Sequence, residues 1–342
     1  MKRRKLGPSG IEASVIGLGA WAIGGWTWGG EDEQESIRAI HAFLDAGGDL
    51  IDTAPMYGFG RSEEVVGKAI EGRRDQVVLA TKCSMRWDLN EEQKRRATHK
   101  FTTNEKAIDW SGEPTKDSFD VYIYSGRDGI REEVERSLKR LRTDHIDLYQ
   151  THWQIDETPV DERMGALLEL KREGKIRAIG VSNATPELIA EYARHGQLDT
   201  DQEKYSMLDR DMEKTNLPVC ADKGLGFLAY SPLGQGLLTG KITQDREFPD
   251  DDLRSHNERF GRANIEKVQA MLEPMREIAD SRGISLTQLT MAWTLSRHGC
   301  SHVLCGARNE QQARDNAGAG QVELNEDEIE KVTAAVESYD GI

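Results

Sequence analysis

The chain has 342 residues, which is enough for one large α/β domain or two ordinary ones. Its 60 acidic residues outnumber its 45 basic ones, and the formal net charge of -15 argues against a nucleic-acid-binding surface. The basic N-terminal residues are not followed by the apolar stretch of a signal peptide, and no apolar run is long enough to span a membrane. The four scattered cysteines suit a reducing compartment. We therefore expect a cytoplasmic protein.

Short apolar runs alternate with helix-period stretches along the chain. The predicted strands are Val15–Leu18, Leu50–Thr53, Val77–Thr81, Ile146–Thr151, Ile176–Val181, Leu198–Gln202, Phe227–Tyr230 and His302–Leu304. The predicted helices are Glu33–Ala46, Ser62–Gly72, Arg127–Leu141, Val160–Glu173, Pro186–His195, Met212–Lys223, Ile265–His298, Asn309–Ala317 and Glu326–Glu337. We expect Ser125 to cap the helix that follows it and Pro186 to open its own. This alternation indicates a parallel sheet covered by helices.

The sheet is predicted to close into a barrel. An open dinucleotide-binding sheet needs a Gly-rich turn that leads into a helix, but the glycines at 17–25 are followed by Trp26-Thr27-Trp28-Gly29-Gly30. Polar residues end the second, third and fourth strands, as expected when chemistry lies at one face of a barrel. We therefore predict an α/β fold, a single (β/α)8 TIM barrel domain over residues 1–342.

Two polar, poorly periodic stretches, 86–125 and 231–264, follow predicted strands. We interpret both as long active-site loops that are partly mobile, with disorder as the alternative.

Three strand ends carry reactive side chains: Asp52, Lys82 and His152, with Tyr57 just after the first. A phenol has an ordinary pKa of about 10, so proton donation needs help. An ammonium group about 4 Å away favours the phenolate by about 4 kcal/mol at an effective dielectric of about 20, before desolvation is subtracted. Asp52 would keep Lys82 charged, and His152 would donate a hydrogen bond or relay the proton. The four residues predict a proton-donor site.

Other chemistries fit less well. His298, Cys300, His302 and Cys305 are close in sequence, but a strand there sends its side chains to alternate faces, so we predict no metal site. The segment 180–184 resembles a nucleophile elbow without its final glycine, which disfavours a hydrolase. No tyrosine has a lysine four residues later, as a short-chain dehydrogenase would require.

Several motifs resemble those of the aldo-keto reductases, in particular bacterial members related to the channel β-subunits. The similarity rests on Asp52-Thr53-Ala54-Pro55-Met56-Tyr57-Gly58 with Ser62-Glu63-Glu64 and Gly67, on Lys82, on Asp147–Trp153 and on Gly174–Asn183. It runs from about Leu6 to Tyr339. The resemblance implies a barrel with an N-terminal hairpin plug that binds NADP(H) in an extended conformation without a Rossmann domain.

The resemblance also implies residue roles. Tyr57 would be the general acid, tuned by Asp52, Lys82 and His152. Ser182, Asn183 and Gln202 would hold the nicotinamide carboxamide, Tyr205 would stack on its ring, and Arg308 would bind a 2′-phosphate and so favour NADP over NAD. The implied cofactor-binding set is Gly19, Ala20, Trp21, Asp52, Ser182, Asn183, Gln202, Tyr205, Ser231, Pro232, Leu233, Gln235, Gly236, Gly306, Arg308, Gln312 and Asn316.

The predicted substrate-binding residues are largely aromatic: Trp21, Tyr57, Trp87, His152 and Trp153. Such walls suit a ring-bearing or sugar-like substrate, with core packing as the alternative for Trp26 and Trp28. Gln154 stands where many relatives have proline, and Ser206 where the stacking tyrosine is commonly followed by asparagine.

Two functions remain open at this point. The favoured one is NADPH-dependent reduction of an aldehyde or ketone, such as a keto-sugar, a cyclic polyol ketone or a xenobiotic carbonyl. The alternative is a non-enzymatic NADPH-binding regulatory subunit like the channel β-subunits. The complete donor set favours the enzyme, while the sequence leaves the substrate, the favoured direction and the oligomeric state open.

Overall fold

The computed structural model describes residues 1–25, 28, 32–103, 107–108, 114–116, 119–250 and 252–342. In this part of the chain, parallel strands close into an eight-stranded barrel in which each strand pairs with its neighbours in sequence and the last pairs with the first. The strands are β1 (Ile16–Gly19), β2 (Leu50–Asp52), β3 (Val78–Cys83), β4 (Ile146–Thr151), β5 (Ile176–Ser182), β6 (Thr200–Lys204), β7 (Gly226–Tyr230) and β8 (Cys300–Gly306). The predicted barrel and its eight strands are confirmed.

Helices surround the barrel. They are α1 (Glu33–Asp45), α2 (Arg61–Ala69), α3 (Glu91–Arg96), α4 (Arg127–Leu141), α5 (Val160–Arg172), α6 (Pro186–His195), α7 (Asn216–Lys223), α8 (Arg262–Arg282), α9 (Leu286–Ser296), α10 (Glu310–Gly318) and α11 (Glu326–Glu337). None of the described helices has the length and apolarity that a membrane span requires.

Two local predictions about helices are wrong. The predicted helix over 265–298 is two helices, because Gly283 ends α8 with a φ of 64° and Ser285 caps α9 in a capping box with Gln288. Ser125 does not cap α4, whose N-cap is Gly126. The Ser125 hydroxyl instead donates to the carboxylate of Asp156 at 2.8 Å.

An N-terminal hairpin closes one end of the barrel. Its antiparallel strands are Arg3–Lys5 and Glu12–Ser14, and Leu6 between them is fully buried. Leu6 packs in one cluster with barrel-interior side chains that include Leu50, Leu148 and Leu228. Because this apolar plug fills the N-terminal end, the polar strand ends at the opposite rim are left as the site for chemistry.

The stretch between β3 and α4 is more regular than predicted. Its described part holds α3 and a three-stranded antiparallel sheet of Met85–Arg86, Asp120–Ile123 and Thr98–Thr102. The strand of residues 98–102 reads Thr-His-Lys-Phe-Thr and has no fully buried residue, so no apolar alternation marked it. The stretch 231–264 is mostly irregular, as predicted, with short 3-10 turns at Gly234–Thr239 and Glu258–Phe260.

Candidate active site

Asp52, Lys82 and Tyr57 form a connected group at the C-terminal rim. Lys82 and Asp52 are buried, and the Lys82 Nζ donates to Asp52 Oδ1 at 2.5 Å. The same nitrogen donates to the Thr53 carbonyl at 3.0 Å and to the Tyr57 hydroxyl at 3.2 Å. An ammonium group has three N–H donors, and these contacts use all of them. The Tyr57 oxygen therefore accepts from Lys82, and its own proton is free to point toward another acceptor.

The protonation of this group follows from burial and charge. Burial lowers the pKa of Lys82, but Asp52 and Tyr57 outweigh it, so the pKa lies above its ordinary value. Burial raises the pKa of Tyr57, and the nearby Lys82 charge offsets this only in part. The desolvation of Tyr57 is larger than the attraction of the cation, so the net shift favours the protonated phenol. Tyr57 holds its proton at neutral pH.

His152 follows β4 and faces the tyrosine. Its ring meets the Tyr57 ring edge-on, with 6.0 Å between centroids. Burial, and then the charges of Lys82 and Lys100, hold the pKa of His152 well below its usual range. The neutral ring has one N–H to donate, so His152 can orient an oxygen by hydrogen bonding and does not serve as a cationic acid.

The second oxygen of Asp52 accepts from two amides. Gln202 Nε2 donates to it at 2.9 Å and Gln150 Nε2 at 3.3 Å. Gln202, predicted to hold a nicotinamide carboxamide, is buried against Asp52 in the structure. Gln150 was not identified from the sequence, although its place on β4, two residues before His152, directs both side chains to one face of the strand.

Ser182 ends β5 and Asn183 follows it, and both side chains connect neighbouring strands. The Ser182 hydroxyl donates to the Gln202 carbonyl at 2.8 Å. The Asn183 amide donates to the His152 carbonyl at 3.0 Å and accepts from the Tyr230 hydroxyl at 2.9 Å. Asn183 thus joins the histidine to an aromatic ring at the end of β7.

The structure corrects the prediction for Tyr205. This residue is fully buried and its hydroxyl donates to Glu213 at 2.7 Å. Tyr230, the last residue of β7, lines the open cleft instead. The sequence did offer a signal, since Tyr230 is an aromatic residue at a strand end directly before Ser231.

A cleft of about 450 Å³ runs along the rim from Tyr57 to Arg308. The predicted cofactor residues that line it are Gly19, Trp21, Asp52, Ser231, Pro232, Leu233, Gln235, Gly236, Gly306, Arg308, Gln312 and Asn316. Ala20 is fully buried, and its amide donates to the Asp52 carbonyl at 2.8 Å. The cleft is therefore open along most of the predicted cofactor path.

The far end of the cleft is strongly basic. Lys241, Arg246, Arg254 and Arg308 all line it. Arg254 is paired with Asp252 at 2.6 Å. Arg308 has no carboxylate partner within the described ranges; its guanidinium donates to the Trp28 carbonyl. Arg246 and Arg254 were not predicted, because they lie in an irregular loop where neither period nor motif singles them out.

Aromatic side chains stand near the tyrosine. Trp21 stacks on Tyr57 with 6.1 Å between centroids, and Trp28 meets Trp21 edge-on at 5.2 Å. Trp87 packs edge-on against Phe59 at 5.2 Å. The Lys100 ammonium lies 3.7 Å from the Trp153 ring centroid. Trp26 is outside the described residues.

Known proteins match this chain over nearly its whole length. The model of the Aldo/keto reductase family matches residues 15–337. This chain belongs to the aldo/keto reductase family. Aldo-keto reductases are oxidoreductases that use nicotinamide cofactors, and the barrel, the cleft and the Asp52, Lys82 and Tyr57 group are the parts of this chain that bear on such chemistry.

Individual proteins similar to this chain are also oxidoreductases. The chain is 42% identical over 315 residues to aldo-keto reductase YhdN of Bacillus subtilis, covering 91% of this chain and 86% of that protein. It is 40% identical over 332 residues to the NADH-specific methylglyoxal reductase of Escherichia coli, covering 95% of each. The solved structure of the glycerol dehydrogenase AKR11B4 from Gluconobacter oxydans is 37% identical with a TM-score of 0.84, and the match covers 99% of this chain and 95% of that one.

Proposed function

We propose that this aldo-keto reductase is an NADPH-dependent reductase of small aldehydes or ketones, with Tyr57 as the proton donor. The observation that carries the proposal is the 3.2 Å contact in which Lys82 donates to the Tyr57 oxygen. This contact leaves the phenolic proton available and places a cation where negative charge develops as that proton leaves.

Each residue of the site has a separate role in the proposed reaction. A nicotinamide cofactor, when bound, supplies the hydride. Tyr57 delivers the proton to the substrate oxygen, and Lys82 stabilises the phenolate that results. Asp52 keeps Lys82 charged and is itself held by Gln150 and Gln202. The neutral His152, whose ring packs edge-on against Tyr57, donates a hydrogen bond to the same substrate oxygen and helps to fix its position.

The residues along the cleft support the proposal that a dinucleotide binds there in an extended conformation. Tyr230 at one end offers an aromatic face beside Tyr57, and Arg308 at the other lies among further basic side chains. Burial, and then the charge of Arg254, lower the pKa of Arg308. A planar guanidinium without a carboxylate partner suits the 2′-phosphate that NADPH carries and NADH lacks. The relative from E. coli is an NADH-specific reductase, so the test of this proposal compares NADPH with NADH.

The substrate is proposed to be a small polar carbonyl compound. One relative is named for methylglyoxal and a structural neighbour for glycerol. Here Trp21, which stacks on Tyr57 and lines the cleft, supplies an apolar face beside the polar groups at the rim. An apolar face of this kind suits stacking on a ring-bearing or sugar-like carbonyl compound.

The test is cofactor oxidation in the presence of a carbonyl panel. The panel holds methylglyoxal, a keto-sugar, a cyclic polyol ketone and an aromatic aldehyde, each with NADPH and with NADH, and glycerol is tested in the reverse direction. We expect turnover with at least one carbonyl and a higher kcat/KM with NADPH. Tight NADPH binding without turnover on any of them would favour the non-enzymatic regulatory subunit instead.

A further inference from the structure

Two buried carboxyl groups lie behind the turn that carries Asn183. Asp201 and Glu203 are two residues apart on β6, so their side chains leave the same face of the strand. The two groups are within hydrogen-bonding reach of each other. Asp201 is fully buried and Glu203 is 5% exposed. Neither residue lines the cleft.

The contacts indicate that the pair shares one proton. Asp201 Oδ2 accepts from the Asn216 side chain at 2.8 Å, and Glu203 Oε1 accepts from the Ala184 backbone N–H at 2.7 Å. Asp201 Oδ1 is buried without a donor among the described residues. A proton on the other oxygen of Glu203 supplies that donor and removes the repulsion between two buried carboxylates. Burial, and then the charge of Asp201, raise the pKa of Glu203, which keeps this proton in place.

The Asp201 and Glu203 pair holds the 182–184 turn through the backbone N–H and the carbonyl of Ala184. Glu203 binds its N–H, while Asn216, held by Asp201, donates to its carbonyl at 2.8 Å. The preceding residue, Asn183, has a left-handed φ of 57°, a conformation that persists only when its surroundings fix it. Its side chain is thereby placed between the His152 carbonyl and the Tyr230 hydroxyl.

We propose that Glu203, as a neutral carboxyl group supported by Asp201, is a positioning residue that fixes the 182–184 turn and so aims Asn183 at the nicotinamide end of the cofactor. This inference rests on the proposed function, because it requires that Asn183 contacts the cofactor. Glu203 itself touches neither cofactor nor substrate.

The test compares three variants. Glu203→Gln keeps an oxygen for Ala184 and gains an N–H for Asp201, so it reproduces the neutral acid. Glu203→Ala leaves the Ala184 N–H unpaired. Asp199→Ala is the matched control, because Asp199 is a buried carboxylate next to the opposite end of β6 that accepts from the Ile179 N–H at 2.9 Å.

The readouts are the dissociation constant of NADPH, measured by quenching of protein fluorescence, the single-turnover rate and the melting temperature. We expect Glu203→Ala to weaken NADPH binding about 10-fold, which corresponds to about 1.4 kcal/mol. Glu203→Gln is expected to stay within about 3-fold of the parent, in keeping with a hydrogen bond that is preserved. Asp199→Ala is expected to lower the melting temperature without changing the dissociation constant. If Glu203→Ala does not fold, Glu203→Asp takes its place with the same expectation, because the shorter acid no longer reaches Ala184.

Three results would overturn the proposal. The first is parental NADPH affinity in Glu203→Ala. The second is an equal loss of affinity in Glu203→Gln and Glu203→Ala, since the neutral hydrogen-bonding group would then not be what matters. The third is an equal loss in Asp199→Ala, which would mark a general effect of destabilisation. A parent that reduces no carbonyl contradicts the proposed function instead, and this is distinguishable because affinity is measured without turnover.

Discussion

Replacing Lys82 by Met should slow carbonyl reduction through the loss of one charge. Lys82 Nζ lies 3.2 Å from the Tyr57 oxygen. At an effective dielectric of about 20, a unit charge at that distance stabilises the phenolate by about 5 kcal/mol. If half of this stabilisation is felt in the transition state, the barrier rises by about 2.5 kcal/mol and the rate falls roughly 70-fold. The pKa of Tyr57 should rise further from its already raised value.

The same replacement also affects stability, and the experiment must separate the two effects. Without Lys82, Asp52 is left as a buried carboxylate with only amide partners, which should destabilise the fold by about 3 to 5 kcal/mol. The double variant Asp52→Asn with Lys82→Met removes that stranded charge. It should recover most of the stability without recovering the rate.

The assay is single-turnover reduction with saturating NADPH and methylglyoxal, followed across pH beside urea denaturation of each variant. Parental rates in Lys82→Met would refute the role of the cation. So would a double variant whose rate recovers together with its stability, because the defect would then be one of folding.

Three further predictions concern pH, stability and cofactor choice. Because burial and two lysines hold the pKa of His152 well below its usual range, reduction should show no inflection near pH 6.5, and an inflection there that disappears in His152→Ala would contradict the neutral imidazole. Burial lowers the pKa of His302 from about 6.5 to about 4, so the stability that the neutral ring contributes is full above pH 6.5 and is lost as the pH falls toward 4. Between pH 7.5 and pH 4.5, the free energy of unfolding should therefore fall by about 2 to 3 kcal/mol more in the parent than in His302→Gln. Equal losses in the two proteins would contradict this role of His302. Arg308→Ala should weaken NADPH about 10- to 100-fold with little change for NADH at fixed salt, and equal losses for both cofactors would remove the 2′-phosphate contact from the account.

Much of the barrel could be predicted from the sequence because each strand is a short apolar run between helix-period segments. The observed strand and helix boundaries differ from the predicted ones by a few residues. The division between α8 and α9 was missed because apolar residues continue on both sides of Gly283. The strand over residues 98–102 was missed for the opposite reason, since it is mostly polar and none of its residues is buried. Hydrophobic periodicity predicts an element from its buried face, so it fails where the element is uniformly apolar or has no fully buried residue.

The clustering of Asp52, Lys82 and Tyr57 was predictable because parallel strands end at one rim. The sequence placed Asp52, Lys82 and Tyr57 together, and the structure joins them by hydrogen bonds. The direction of the Tyr57 pKa shift was not predictable, since it depends on a balance between burial and charge that only coordinates provide. Tyr205 was misplaced because a strand-end tyrosine and one a residue beyond a strand look alike in sequence while only Tyr230 faces the cleft.

The central claim is that the proton comes from Tyr57, and Tyr57→Phe tests it most directly. The substitution retains the aromatic ring that stacks on Trp21 and removes only the hydroxyl group that accepts a hydrogen bond from Lys82. With NADPH bound beforehand, one turnover of methylglyoxal, or of the best carbonyl on the panel, should slow by at least about 100-fold while the NADPH dissociation constant stays nearly unchanged. A Tyr57→Phe variant that binds NADPH normally and reduces that carbonyl at the parental rate would contradict the account.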